Sequence, residues 1–203
     1  MYSYWIGFNR GKRPSISWGD WSARFGSYNI SIGNNSFVAG GYNAAVGDYS
    51  AAFGENTIAK EDWSFVCGAN NNALKYGFAC GGNNTMLGER AFVAGYNNTV
   101  NTYSAAFGQS NIIKGTHGFA TGYSNSIYET GASHSGVIGM NNHIGYGGYY
   151  SFVAGLNNVS HNNGATVLGA GLISSTSYGL TVGRLNKEVS NALFVVGNGT
   201  GDV

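Results

Sequence analysis

The sequence predicts an all-β protein, a parallel β-solenoid whose coils are about 14 residues long and contain two short strands each. Three observations predict this fold class. A five-letter word ending in glycine recurs along the chain, the recurrences are about 14 residues apart, and the intervening letters are rich in asparagine and glycine. Fourteen residues are too few for a helix pair, and β-branched residues, glycine and asparagine all disfavour helix. They suit two strands of about five residues joined by short turns.

The recurring word is typified by SFVAG, which occurs at residues 36–40 and again at 151–155. We call its final residue the anchor glycine; there are thirteen: Gly26, Gly40, Gly54, Gly68, Gly81, Gly95, Gly108, Gly122, Gly139, Gly155, Gly169, Gly183 and Gly197. Ten of the thirteen repeats carry asparagine three residues later, where a turn needs a residue that tolerates a left-handed backbone. The repeat domain is therefore expected to span residues 22–197, with longer coils at 123–155.

Phenylalanine occupies one of two positions in ten repeats, either three residues or one residue before the anchor glycine, and never both. These two positions share one face of the strand, because side chains alternate. In each of these repeats one of the two positions holds the large phenylalanine and the other a smaller residue, so their combined volume stays similar. This constancy predicts that the face is the packed interior. The opposite face, two residues before the anchor, is almost always valine or alanine. A strand that is apolar on both faces is buried on both, so we expect this second face to contact identical chains in a symmetric bundle.

Composition gives little reason to expect nucleic acid or a membrane as a partner. Charged residues make up only 9% of the chain, against a usual share of about 25%, and the formal net charge is +1. No apolar run is long enough to cross a membrane as a helix, so no membrane insertion is expected.

The positions of the histidines and acidic residues predict neither an enzyme nor a cofactor or metal site. The four histidines, His117, His134, His143 and His161, have no metal-ligand spacing. The nine acidic residues do not recur at one position of the repeat. Polysaccharide cleavage needs paired carboxylates, and an alternative interpretation places Glu61, Asp62 and Glu89 close enough together for it.

Two cysteines occupy the same position on consecutive coils. Stacked strands would bring the Cα atoms of Cys67 and Cys80 within disulfide range, but parallel Cβ vectors make a poor disulfide. The pattern favours two small reduced thiols in the interior over a disulfide.

The 14-residue period, the SFVAG and SAAFG strands and the Asn/Gly turns resemble the YadA-like head repeats of trimeric autotransporter adhesins, which are also found in bacteriophage tail fibres and tailspikes. The resemblance covers about 175 of the 203 residues. It implies a left-handed parallel β-roll packed side by side as a homotrimer. The closing NALFVVGNGTGDV resembles the stretch that precedes a C-terminal chaperone domain in such phage proteins.

These features together predict a non-enzymatic structural or adhesive segment of a trimeric attachment fibre, most simply a bacteriophage tail fibre or spike in a virion tail appendage. We see no signal peptide, heptad stalk or membrane-anchor strands, which favours this origin over the alternative, the head of a bacterial surface adhesin at the cell surface. A second alternative is a polysaccharide-degrading tailspike. Expected partners are other fibre or virion proteins at both ends and a host cell-surface glycan or protein.

The ends of the chain depart from the repeat. Residues 1–21 contain Trp5, Trp18, Trp21 and the single proline, Pro14, and are expected to form a cap or a docking segment, since a solenoid must cover its terminal coil. Residues 198–203 are expected to be a tail that leads to a missing or cleaved domain.

Two groups of residues are candidate binding sites. The long coils insert residues 128–135 and 144–150, and insertions in a solenoid become loops, which often carry recognition residues. The candidate receptor-binding residues there are Tyr128, His134, Tyr146, Tyr149 and Tyr150. The second group, which we call the aromatic ladder, lies five residues before the anchors: Trp21, Tyr49, Trp63, Tyr76, Tyr103, Tyr150 and Tyr178. Its regular recurrence favours a packing role over the stacking of sugar rings.

Overall fold

The computed structural model describes residues 16–128, 132–186, 188, 189 and 191–199, and among these it contains strands and no helix. The chain divides into two units, Met1–Asn97 and Asn98–Val203. Each unit is a parallel β-solenoid with coils of about 14 residues, which confirms the predicted fold class and period. Most of the predicted N-terminal segment, including Trp5 and Pro14, and residues 200–203 of the predicted tail lie outside the described residues.

In the first unit, long strands of five residues alternate with short strands of two. The long strands are β2 (Ala23–Ser27), β4 (Phe37–Gly41), β6 (Ala51–Glu55), β8 (Phe65–Ala69), β10 (Phe78–Gly82) and β12 (Phe92–Tyr96). The short strands are β1 (Ile16–Ser17), β3 (Ile30–Ser31), β5 (Ala44–Ala45), β7 (Ile58–Ala59), β9 (Asn72–Ala73) and β11 (Thr85–Met86). Long strands pair in parallel with long strands, and the anchor glycines lie in register, Gly26 with Gly40 and Gly40 with Gly54.

The second unit follows the same plan. Its long strands are β14 (Ala105–Gln109), β16 (Phe119–Tyr123), β18 (Gly136–Met140), β20 (Phe152–Leu156), β22 (Thr166–Ala170), β24 (Leu180–Arg184) and β25 (Phe194–Asn198). Its short strands are β13 (Thr99–Val100), β15 (Ile112–Ile113), β17 (Ser126–Ile127), β19 (His143–Ile144), β21 (Val159–Ser160) and β23 (Ile173–Ser174). The two longer coils keep this register, because Gly122 pairs with Gly139 and Gly139 with Gly155. Their extra residues therefore lie in the turns and leave the sheets undisturbed.

The interior of each unit is lined by valine and alanine from the long strands and by alanine, valine, isoleucine and methionine from the short strands. The residues two before the anchor glycines are fully buried: Val38, Ala52, Val66, Ala79 and Val93 in the first unit, and Ala106, Ala120, Val137, Val153 and Val167 in the second. The short strands supply a second buried row: Ala45, Ala59, Ala73 and Met86 in the first unit, and Val100, Ile113, Ile127 and Ile144 in the second. An interior this thin gains little from each coil, so the coils depend on hydrogen bonds as well as on apolar burial.

The recurrent asparagine forms a buried ladder that ties each coil to the next. In the second unit, Asn111 Nδ2 donates to the carbonyl of Phe107 in its own coil (2.9 Å) and to that of Gly122 in the next coil (3.0 Å). Its Oδ1 accepts the backbone N–H of Asn125, the equivalent residue one coil on, at 3.1 Å. The amide has both donors and acceptors, so one residue type satisfies the same buried groups in most coils; Thr57 and Leu172 occupy this position in two others.

The anchor glycine is required where the coils approach each other. At Gly122 the backbone φ is +115°, and a Cβ built there would lie 2.0 Å from the carbonyl oxygen of Gly139. Both the conformation and the space exclude a side chain.

The predicted assignment of the two strand faces is wrong. Phe37 and Phe53 do share a face, with ring centroids 5.1 Å apart, but this face points outward from the coil. Phe25 is 42% exposed and Phe65 36%, while Val38 is fully buried. The physical reason is that valine or alanine two residues before the anchors, together with the row from the short strands, already fills the interior. Side chains alternate along a strand, so the phenylalanine positions on its other face point outward.

The interpretation of the two cysteines as reduced thiols is also wrong. The structure joins Cys67 and Cys80 as a disulfide, with a Cα–Cα distance of 4.6 Å, and contains no free cysteine. The pair bridges neighbouring long strands on the outward face, where each thiol is half-buried. Because the two residues are in register in a parallel pair, stacking alone brings them into range.

Candidate functional site

Each unit has a row of outward apolar side chains, which we call the phenylalanine face. In the first unit it consists of Phe25, Phe37, Phe53, Phe65, Phe78 and Phe92, whose neighbouring ring centroids are 4.5–5.5 Å apart. In the second unit it consists of Phe107, Phe119, Ile138, Phe152, Leu168, Leu180 and Phe194, each at least 36% exposed. Contiguous exposed apolar surface of this kind marks a site of interaction with another molecule.

The aromatic ladder lies in the turns that precede the long strands. All seven residues have a left-handed backbone, with φ between 54° and 60°, and exposures of 47–74%. Several consecutive rings stack: Tyr49 on Trp63 at 4.3 Å, and Tyr103 on His117 at 4.8 Å. Where Arg90 replaces an aromatic residue, its guanidinium lies 5.1 Å from the ring centre of Tyr76. Stacked neighbours cover one another's faces, which leaves mainly the ring edges open to a ligand.

The structure brings together three of the five candidate receptor-binding residues. The His134 ring stacks on Tyr150 at 5.3 Å, and Tyr149 lies 6.4 Å from Tyr150 in a tilted contact. Tyr146 is 75% exposed in the turn after β19. Tyr128 packs elsewhere. The patch is thus an extension of the aromatic ladder, with Tyr128 outside it.

Tyr128 belongs to a second polar cluster, which our sequence reasoning missed. Lys114 Nζ lies 4.2 Å from the centre of the Tyr128 ring, and His143 contacts the same ring at 5.7 Å. The Nδ1 atom of His143 hydrogen-bonds Ser126 Oγ at 2.7 Å. Burial, and secondly the neighbouring His161, lower the pKa of His143 below its usual 6.5.

A sequence signal for this cluster existed. Lys114, Tyr128 and His161 each lie six residues after an anchor glycine, while Ser126 and His143 lie four residues after one. Residues at these two offsets point outward from the same short-strand sheet. Their distance from the anchor glycine was therefore enough to predict that they lie close together.

Two of the acidic residues have structural roles in the turns. Asp48 Oδ1 accepts the backbone N–H of Asn34 at 2.7 Å, and Asp62 Oδ1 accepts that of Asp48 at 2.9 Å. Glu89 forms an exposed ion pair with Arg90 at 3.9 Å. Within the described ranges, no group of three or more histidine, cysteine, aspartate or glutamate side chains is placed to hold a metal ion.

No helix among the described residues is long and apolar enough to span a membrane. Comparison of the chain with protein-family models gives no match, and comparison with curated proteins gives none either.

Proposed function

We propose that this chain is a non-enzymatic segment of a homotrimeric attachment fibre, of the bacteriophage tail-fibre or spike type, that supports and presents host-binding surfaces in a virion tail appendage. The observation that carries the proposal is the phenylalanine face. The number of protomers and the biological setting rest on the resemblance to YadA-like heads and phage fibres.

The phenylalanine face supports assembly because nothing within its own unit covers it. A buried phenylalanine removes about 150–250 Å² from water. Phe25, Phe65 and Phe92 are 36–42% exposed and the other three rings less, so the six leave roughly 300–450 Å² of apolar surface in the first unit alone. At about 25 cal/mol per Å², covering that area is worth about 7–11 kcal/mol before the cost of association. The surface is also almost free of charge, as is typical of a permanent interface.

The repeat also supports an adhesive role. Each coil presents nearly the same outward residues as the one before, and three protomers triple every such surface. Weak contacts with a repetitive host surface then combine by avidity, without any single tight site.

The test is the mass of the full chain in solution, measured by light scattering over a dilution series. We expect three times the chain mass of 21.3 kDa. Phe65→Lys places a charge on the phenylalanine face and should yield a monomer with an unchanged circular dichroism spectrum. Ile58→Lys is the matched control, because Ile58 is also an apolar residue, 41% exposed, but lies on the short-strand face. A monomeric parent protein, or equal effects of the two substitutions, would refute the assembly.

A further inference from the structure

The first unit contains a polar groove outside all the residues considered so far. It is a cavity of about 430 Å³ lined by Tyr42, Glu55, Asn56, Ala69 and Asn70. A second cavity of about 180 Å³ shares Asn56 and Asn70 and continues along Asn72 and Thr85. The groove therefore has an aromatic end and an amide-rich floor that extends over several coils.

The aromatic end arises from a change of residue type within one column. Two residues after the anchor glycine, the column reads Tyr28, Tyr42, Asn56 and Asn70, all with φ between 53° and 59°. The ring of Tyr42 stacks on that of Tyr28 at 4.6 Å and 9°. Tyr28 thus covers one face of the Tyr42 ring, while the shorter Asn56 leaves the other face open to the groove. Tyr42 is 58% exposed.

The floor offers hydrogen-bonding groups that the protein does not use. Asn56 Nδ2 donates to Asn70 Oδ1 at 2.7 Å, which fixes the orientation of both amides. This bond leaves Asn56 Oδ1 as an acceptor and Asn70 Nδ2 as a donor on the groove side. The exposed carboxylate of Glu55 adds two further acceptors for hydroxyl donors, which bind a carboxylate more strongly than a neutral oxygen.

Charge narrows the class of ligand. Among the described residues, Glu55 is the only charged one that lines the groove, so its carboxylate disfavours phosphate, sulfate and carboxylate groups there. The remaining lining is uncharged and polar, apart from one alanine and one aromatic ring. A sugar has both features that this lining can bind. Its flat apolar face can stack on the tyrosine ring, and its several hydroxyls can bond to the amides and the carboxylate.

We propose that this groove binds a neutral saccharide, with one sugar ring stacked on the open face of Tyr42 and its hydroxyls bonded to Glu55, Asn56 and Asn70. The second cavity extends the site for further sugar units of an oligosaccharide. The proposal is separate from trimer assembly: the lining residues all belong to the first unit, so saccharide binding can fail while the fibre proposal stands, and the reverse.

The experiment measures binding of the full chain to an array of immobilised oligosaccharides. The neutral probes are glucose, galactose, mannose and N-acetylglucosamine oligomers, and the acidic probes are sialylated and phosphorylated oligomers, all at millimolar concentration. We expect binding to at least one neutral probe and none to the acidic probes. Tyr42→Ala should weaken that binding about tenfold or more through loss of ring stacking, and Glu55→Gln should weaken it several-fold.

Tyr123→Ala is the matched control, because Tyr123 is an exposed tyrosine (46%) that lies in the second unit, at the end of β16, and belongs to neither group of candidate binding residues. It should bind like the parent protein. Circular dichroism and the thermal midpoint check that each variant is folded; if Tyr42→Ala is not, Glu55→Gln decides the outcome. Absence of binding to every neutral probe, preference for acidic probes, binding unchanged in Glu55→Gln, or equal loss in Tyr123→Ala would each overturn the proposal.

Discussion

The asparagine ladder makes a quantitative prediction about stability. In the second unit, the side chain of Asn111 is fully buried, and its two Nδ2 hydrogens point to Phe107 O (2.9 Å) and Gly122 O (3.0 Å). Its Oδ1 accepts the backbone N–H of Asn125 at 3.1 Å, which makes three hydrogen bonds. A net value of about 0.5–1 kcal/mol for each bond gives about 1.5–3 kcal/mol for Asn111→Ala. Such a loss is a large share of the stability of an ordinary domain.

The control lies two residues away in the same coil. Gln109 carries the same amide group at the end of β14, but its side chain is exposed and makes no hydrogen bond with the described residues. Gln109→Ala should therefore change stability by less than about 0.5 kcal/mol. Guanidinium unfolding followed by circular dichroism, at equal protein concentration, measures both variants. If Asn111→Ala costs no more than Gln109→Ala, the ladder does not hold the coils together and the reasoning fails.

Two further predictions concern the disulfide and His143. Replacing both Cys67 and Cys80 by alanine, which occupies the equivalent position in the next coil (Ala94), removes a cross-link over 13 residues. It should lower the free energy of unfolding by about 3 kcal/mol in the chain-entropy model; an unchanged thermal midpoint under non-reducing conditions would contradict it. The lowered pKa of His143 means that the folded protein binds fewer protons than the unfolded chain at mildly acidic pH, so stability should fall as the pH drops below about 6.5 towards the folded-state pKa. His143→Gln should flatten this part of the pH–stability curve, and an unaltered slope would count against a buried neutral imidazole.

The phenylalanine columns show how far sequence periodicity reaches. The spacing of Phe37 and Phe53 from their anchors established that they share a face, and the structure confirms it with stacked rings. Periodicity does not say which face points inward. The better indication of the inward face was the set of residues that alternate with the phenylalanines. Ser36 and Val38 share that other face, and both are small and buried.

The candidate binding residues illustrate the same limit. The insertions correctly placed Tyr149 and Tyr150 in one turn, next to each other. Sequence reasoning did not separate Tyr128, because its partners Lys114 and His143 come from coils on either side and meet it only after stacking. The groove beside Tyr42 was missed for a similar reason, since it depends on a tyrosine followed by an asparagine one coil later.

The sequence by itself determined the coil length, the alternation of side chains along each strand, the parallel register of the anchor glycines and the turns that need asparagine or glycine. These follow from local rules, namely a period of two in a strand and a left-handed backbone in a turn, which a single repeat already contains. The tertiary structure decided which strand face encloses the core, that the two cysteines are bonded, and which residues of neighbouring coils form a cluster or a groove. The reason is that the interior is filled jointly by the long and the short strands, so which face of a long strand points inward depends on both sheets together and is not carried by any single strand.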